Sequence, residues 1–150
     1  MQKFTDADGQ DWVLSADFGT FIKVKMDTGV DLALIEEPVL LENESKDCAW
    51  ASQPGVVRLH QDLQLTFAII YSMCQEQADS RSMSNIDFAK QLVKGGKHRD
   101  AFIAFWRELR DFFHDLQKDY LVKMIEKYHQ ATKAMSRRVE REGDERIAWI

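Results

Sequence analysis

From Lys97 to Glu142 the chain runs for 46 positions without a Pro or Gly, so nothing in its backbone chemistry interrupts a helix there. Phe102, Phe105, Leu109, Phe112, Leu116 and Tyr120 recur at alternating steps of three and four, which places them on one stripe of such a helix. After Tyr120 the stripe moves to Leu121, Met124, Tyr128, Ala131 and Met135. Two arrangements satisfy that shift: one long helix that turns its buried face, or two helices meeting near His114 to Asp119. A single helix of this length exceeds what 150 residues can cover, so part of it would project or pack on another chain.

The remaining segments are shorter and better punctuated. Gln2 to Thr5 and Asp11 to Leu14 alternate in the manner of strands about the turn Asp6-Ala7-Asp8-Gly9, which predicts a β-hairpin over residues 2–14 with Gly9 at positive φ. Ser15 is placed to cap a helix that starts at Ala16, presents Phe18, Phe21, Ile22 and Lys25 on one side, and stops at Gly29. Val30 to Leu41 is either a strand or irregular. Glu42 to Gly55 is polar and ends in Pro-Gly, the mark of a loop serving as insertion or hinge. Val57 to Gln77 is apolar nearly all round, as a central core helix should be. Ser84 caps another helix, with Asp87 at its third position, Phe88 and Leu92 on one face, and Gly95-Gly96 as the stop. The expected fold is therefore mainly α with an N-terminal β-hairpin, an α+β chain ending in a long C-terminal helix. Residues 1–136 form one domain, and 137–150 a charged tail with an apolar tip.

Composition excludes several classes. With 45% hydrophobic residues and sixteen aromatics the chain folds, and no apolar run approaches the roughly 20 residues of a membrane span. Acidic residues stand at the N-terminus where a secretory leader needs an apolar run, and Cys48 and Cys74 have neither metal-ligand spacing nor a disulfide framework, so a reducing cytoplasm is expected. The net charge of −5 is uneven: −7 over residues 1–50, zero over 51–96 and +2 over 97–150. An acidic front without a basic face argues against nucleic acid as a partner.

Candidate chemistry is sparse. Asp111-x-x-His114 and Glu126-x-x-His129 resemble the carboxylate–histidine pairs of di-iron bundles, yet on one helix they stand roughly 22 Å apart, at about 1.5 Å per residue, and cannot share a metal. Cys74 lies among apolar helical residues and behaves as a small hydrophobe; Cys48 sits in the polar loop beside Trp50 with no adjoining His. No glycine-rich phosphate loop or hydrolase elbow occurs, so neither cofactor nor catalytic residue is expected. Doubled aromatics suggest a different kind of site. Trp106 beside Phe105, and Phe113 beside Phe112, would fall next to the buried stripe, where uncovered large apolar groups mark partner contacts. Trp149 and Ile150 have the chemistry of a peptide anchor on a polar leash, or of a frayed end.

The order of several elements resembles a family of small bacteriophage proteins from the tail gene region. The likeness spans about residues 1–113. It is carried by the front FTDADGQDWVLS with Gly29-Val30-Asp31-Leu32, by Leu59, Asp62-Leu63 and the helix end YSMCQEQA at Tyr71 to Ala78, and by Ser84-Asn85-Ile86-Asp87-Phe88, Phe102, Glu108-Leu109 and Asp111-Phe112-Phe113. It departs from the family pattern at Met73-Cys74 and between Glu42 and Pro54. The resemblance implies a non-enzymatic tail assembly chaperone of the host cytoplasm, which holds the tape measure protein or tail tube subunits through apolar helical surface, with self-association as a further contact. Trp106, Phe113, Trp149 and Ile150 are the expected partner-binding residues. The rival expectations are a ring-forming virion component, a metal-dependent enzyme built on the two carboxylate–histidine pairs, and a regulator that binds a bacterial protein.

Overall fold

In the computed structural model, which describes residues 1–128 and 130, the chain is mainly α-helical with an N-terminal antiparallel β-hairpin. The hairpin pairs β1 (Gln2–Thr5) with β2 (Asp11–Leu14), Phe4 opposite Trp12, and Gly9 turns at φ 82°. Its turn is organised by Asp6, a carboxylate almost wholly buried yet fully used. One oxygen accepts the backbone N–H groups of Asp8 and Gln10 at 2.9 and 3.0 Å, and the other accepts the Trp12 indole N–H at 3.0 Å. A buried carboxylate is tolerated only when its lone pairs are occupied in this way.

The helix after the hairpin, α1 (Phe18–Thr28), is capped by Asp17, whose side chain accepts from the Thr20 N–H, and so begins later than a cap at Ser15 would place it. Gly29 ends it in the left-handed conformation, as expected. Residues 30–41 follow an irregular course with a short 3-10 turn at Leu32–Leu34, and contribute Val30, Leu32, Ile35 and Val39 to the core.

Two helices replace the single core helix expected over 57–77: α2 (Gly55–Gln61) and α3 (Leu63–Ser80), meeting at Asp62. Asp62 breaks the helix because its carboxylate caps the Leu65 N–H while also pairing with Arg58. Arg58 is only 3% exposed. Its Nη2 donates to Glu44 Oε2 at 3.0 Å and to Asp62 Oδ2 at 3.3 Å, its Nη1 donates to the Val39 carbonyl at 2.8 Å, and its guanidinium lies 5.2 Å from the Trp50 ring centre. The polar 42–54 segment is thus pinned down rather than hinged. Gly55 fits against the irregular stretch before that segment, since a Cβ there would come within 2.6 Å of Val39 Cγ2 and 2.9 Å of the Ile35 carbonyl.

Helix α3 is central. Gln77 near its end bonds both main-chain groups of Val13, accepting at 3.0 Å and donating at 2.8 Å, and so extends the outer edge of β2 like a third strand one residue long. Phe88 of α4 (Asn85–Val93) fills the space between hairpin and α3, ring against Trp12, Phe4, Phe67 and Tyr71. The chain turns through Gly95 and Gly96, both at positive φ, into α5 (Lys97–Asp115). The long breaker-free stretch does break. Gln117 adopts φ 60°, the Lys118 N–H donates back to the Phe113 carbonyl, and helix resumes over 119–128. The two-helix arrangement is the one adopted.

Arg58 carries the first prediction. Burial disfavours its charged form, but the Glu44 and Asp62 carboxylates outweigh that and hold its pKa above the ordinary value. The guanidinium in turn, with the Leu41 N–H, holds Glu44 below its ordinary 4.5. Stability from Glu44 is therefore complete above about pH 4.5 and is lost as pH falls through its lowered folded value. In urea titrations Arg58→Met should cost roughly 3 kcal/mol, and Glu44→Gln should flatten the acid limb of stability below pH 4.5. Equal acid limbs for wild type and Glu44→Gln would refute the pairing.

Candidate partner-binding face

Two of the four residues expected to meet a partner are core. Trp106 is 4% exposed, stacked on the His60 ring at 3.8 Å and 10° with Tyr128 beyond, and Phe113 is completely enclosed. The correction has a simple cause. The helix resuming at 119 folds back and buries Leu121 and Ile125 in the same core, so α5 is covered on more sides than one stripe suggests. Trp149 and Ile150 lie outside the described residues, as do His129 and the 137–150 tail.

Among the described residues, a row of uncovered apolar side chains lies on α1 instead, besides single exposed ones such as Leu63, Ile86 and Val93. Phe18, Ile22 and Met26 recur every four residues and are 60, 63 and 82% exposed, while Phe21 and Val24 of the same helix are buried. Sequence spacing puts Phe18, Phe21, Ile22 and Lys25 on one side of the helix. In fact α1 has two apolar sides and packs only one of them inward. The outer stripe continues onto α5, because Phe18 meets Phe112 edge-on at 5.5 Å and Leu116, one turn beyond Phe112, is partly exposed. Polar pairs border it. Lys23 bonds Asp27 and Gln75, Ser72 also donates to Asp27, Lys25 lies 3.8 Å from Asp31, and Arg110 bonds Asp111 at 3.3 Å. Lys23 and then Ser72 hold the Asp27 carboxyl below its ordinary range. An apolar centre within a polar rim is the anatomy of a protein contact surface.

The chemical candidates are dispersed. Asp111 is engaged by Arg110 and by the Gln2 amide, His114 faces solvent near Asp115, and among the described residues no group of three or more His, Cys, Asp or Glu side chains could hold a metal ion. Cys74 is buried, which pushes its thiol up to about 12, whereas Cys48 is half-buried at the start of the 3-10 turn Ala49–Ser52. No helix among the described residues is long and apolar enough to cross a membrane.

These placements separate surface from core experimentally. Ile22→Ser and Met26→Ser should each change unfolding free energy by less than about 0.5 kcal/mol. Trp106→Ala or Phe113→Ala should cost about 3–5 kcal/mol. A thiol reagent should modify one cysteine of the native protein and the second only in denaturant; rapid reaction of both would contradict the burial of Cys74.

Comparison with known proteins adds no further constraint, since no family model, curated protein or solved structure matches this chain.

Proposed function

We propose that this chain is a non-enzymatic phage tail assembly factor, binding the tape measure protein or tail tube subunits in the host cytoplasm through the stripe Phe18, Ile22 and Met26. The exposure of that stripe carries the reading: a domain able to bury Phe113 completely leaves three large apolar side chains in register on one outer face. Solvated apolar area of this kind is lowered in free energy by a partner that covers it, at roughly 25 cal/mol per Å² removed from water. The ordered resemblance of residues 1–113 to tail-region proteins supplies the class of partner. An apolar helix of the tape measure protein would lie along the α1 stripe, its ends meeting Leu116 and the charged pairs of the rim.

Co-purification of the two proteins tests the assignment. The triple variant Phe18→Ser, Ile22→Ser, Met26→Ser should keep the melting temperature of the wild type and lose capture of the tape measure protein by at least tenfold. Wild-type capture by a folded triple variant would overturn the stripe as the contact. Mass spectrometry of purified particles distinguishes the rival role, because a virion ring component would be present in each particle and a chaperone absent.

A further inference from the structure

Away from the α1 stripe, a cavity of about 280 Å³ opens where the α3–α4 turn meets the outer face of α4. Its walls include Arg81, Ser82, Asp87, Lys90, Gln91 and Lys94. Three cations and one acid leave it two positive charges in excess, within a chain whose net charge is −5. Among the described residues none of the three cations takes part in an ion pair. Lys90 and Lys94 stand one helical turn apart, an arrangement of like charges that costs stability unless an anion offsets it. Arg81 is held ready. Its Nη2 donates to the Asp11 carbonyl at 2.7 Å and its guanidinium lies 4.2 Å from the Trp12 ring centre, which fixes the fork and leaves other N–H donors for a ligand. The remaining polar groups are of the opposite kind. Asp87 offers carboxylate oxygens and Ser82 a hydroxyl, beside Gln91.

We infer that this cavity binds a small hydroxylated phosphomonoester. A phosphomonoester carries close to two negative charges at neutral pH, matching the surplus, and presents acceptor oxygens to Arg81, Lys90 and Lys94. Its hydroxyl groups supply donors to the Asp87 carboxylate at the same wall. The volume lies just under the usual range of about 300–1,000 Å³ for ligand pockets, which suits a sugar phosphate and not a dinucleotide. The inference is independent of the tail-assembly reading, since it uses no residue of the α1 stripe.

Amide chemical-shift mapping on the full chain at low salt tests it, with ribose 5-phosphate, ribose and inorganic phosphate as probes. Ribose 5-phosphate should shift the amides of residues 81–94 saturably and bind at least tenfold more tightly than either fragment. The double variant Lys90→Gln, Lys94→Gln, whose side chains are solvent-exposed, should melt with the wild type and bind at least tenfold more weakly; the single variant Lys94→Glu should do the same if the double variant is unstable. Inorganic phosphate binding as tightly as ribose 5-phosphate would reduce the cavity to a simple charge effect and overturn the proposal. Absence of saturable shifts, tighter binding of an oligoglutamate peptide, or undiminished affinity in both variants would overturn it equally.

Discussion

A guanidinium removed from water has to find a partner for nearly every N–H it carries, and at Arg58 that requirement arranges the chain from Val39 to Asp62. Glu44 is drawn in from the 42–54 segment, Asp62 from the next helix and the Val39 carbonyl from the irregular stretch before it. Each attachment has a structural consequence. Glu44 ends the freedom of a polar segment that would otherwise be solvated loop, and Asp62 stops α2 so that α3 can leave in a new direction. Once α2 is a separate short helix, His60 on it stacks against Trp106 of α5. Removing the cation would leave two carboxylates and a carbonyl converging without the charge that holds them together, which is why such clusters fail more severely when one member is lost than when all are replaced.

The elements legible in the sequence were those governed by local chemistry. The hairpin follows from alternation and the Asp-Gly turn, the stop of α1 from Gly29, and the start of α4 from Ser84, whose side chain accepts the Asp87 N–H. What could not be read were decisions taken between distant residues. A run such as Val57 to Gln77 looks continuous to a periodicity window although Asp62 within it caps the Leu65 N–H and pairs with Arg58; what no window contains is that Arg58 is itself pinned by Glu44, fourteen positions back. Gln77 pairing with the Val13 backbone across 64 positions is of the same kind, since an amide on a helix has no sequence mark of serving as a strand edge.

The misplacement of the uncovered apolar surface has a related origin. Periodicity ranks faces by how apolar they are, and α5 carries far more aromatic area than α1. Coverage, however, depends on what packs alongside. The turn at Gln117 sends the chain back so that Leu121 and Ile125 join the core beside Phe113, with Lys118 close to the Glu36 carboxylate and the Ala33 carbonyl. Among the described residues helix α1 has no comparable neighbour on its outer side. Its Phe21 and Val24 satisfy the core, and Phe18, Ile22 and Met26 remain as apolar area for which folding alone provides no use.

The two surface features stand at opposite ends of α5. Phe112 and Leu116, which extend the apolar stripe, lie in and just beyond its last turn, while Lys94 lies just before its first. Nineteen helical residues at about 1.5 Å each separate them by roughly 28 Å, about three and a half Debye lengths at physiological ionic strength. A charge bound at Lys94 therefore exerts almost no direct force on a partner at Leu116. Coupling between them would require α5 itself to occupy two positions, and its middle is fixed by Ala101, Ala104, Phe105, Trp106 and Leu109, all buried in the one continuous core. A rod held along its length transmits neither bend nor shift, so the two proposed sites are expected to act independently.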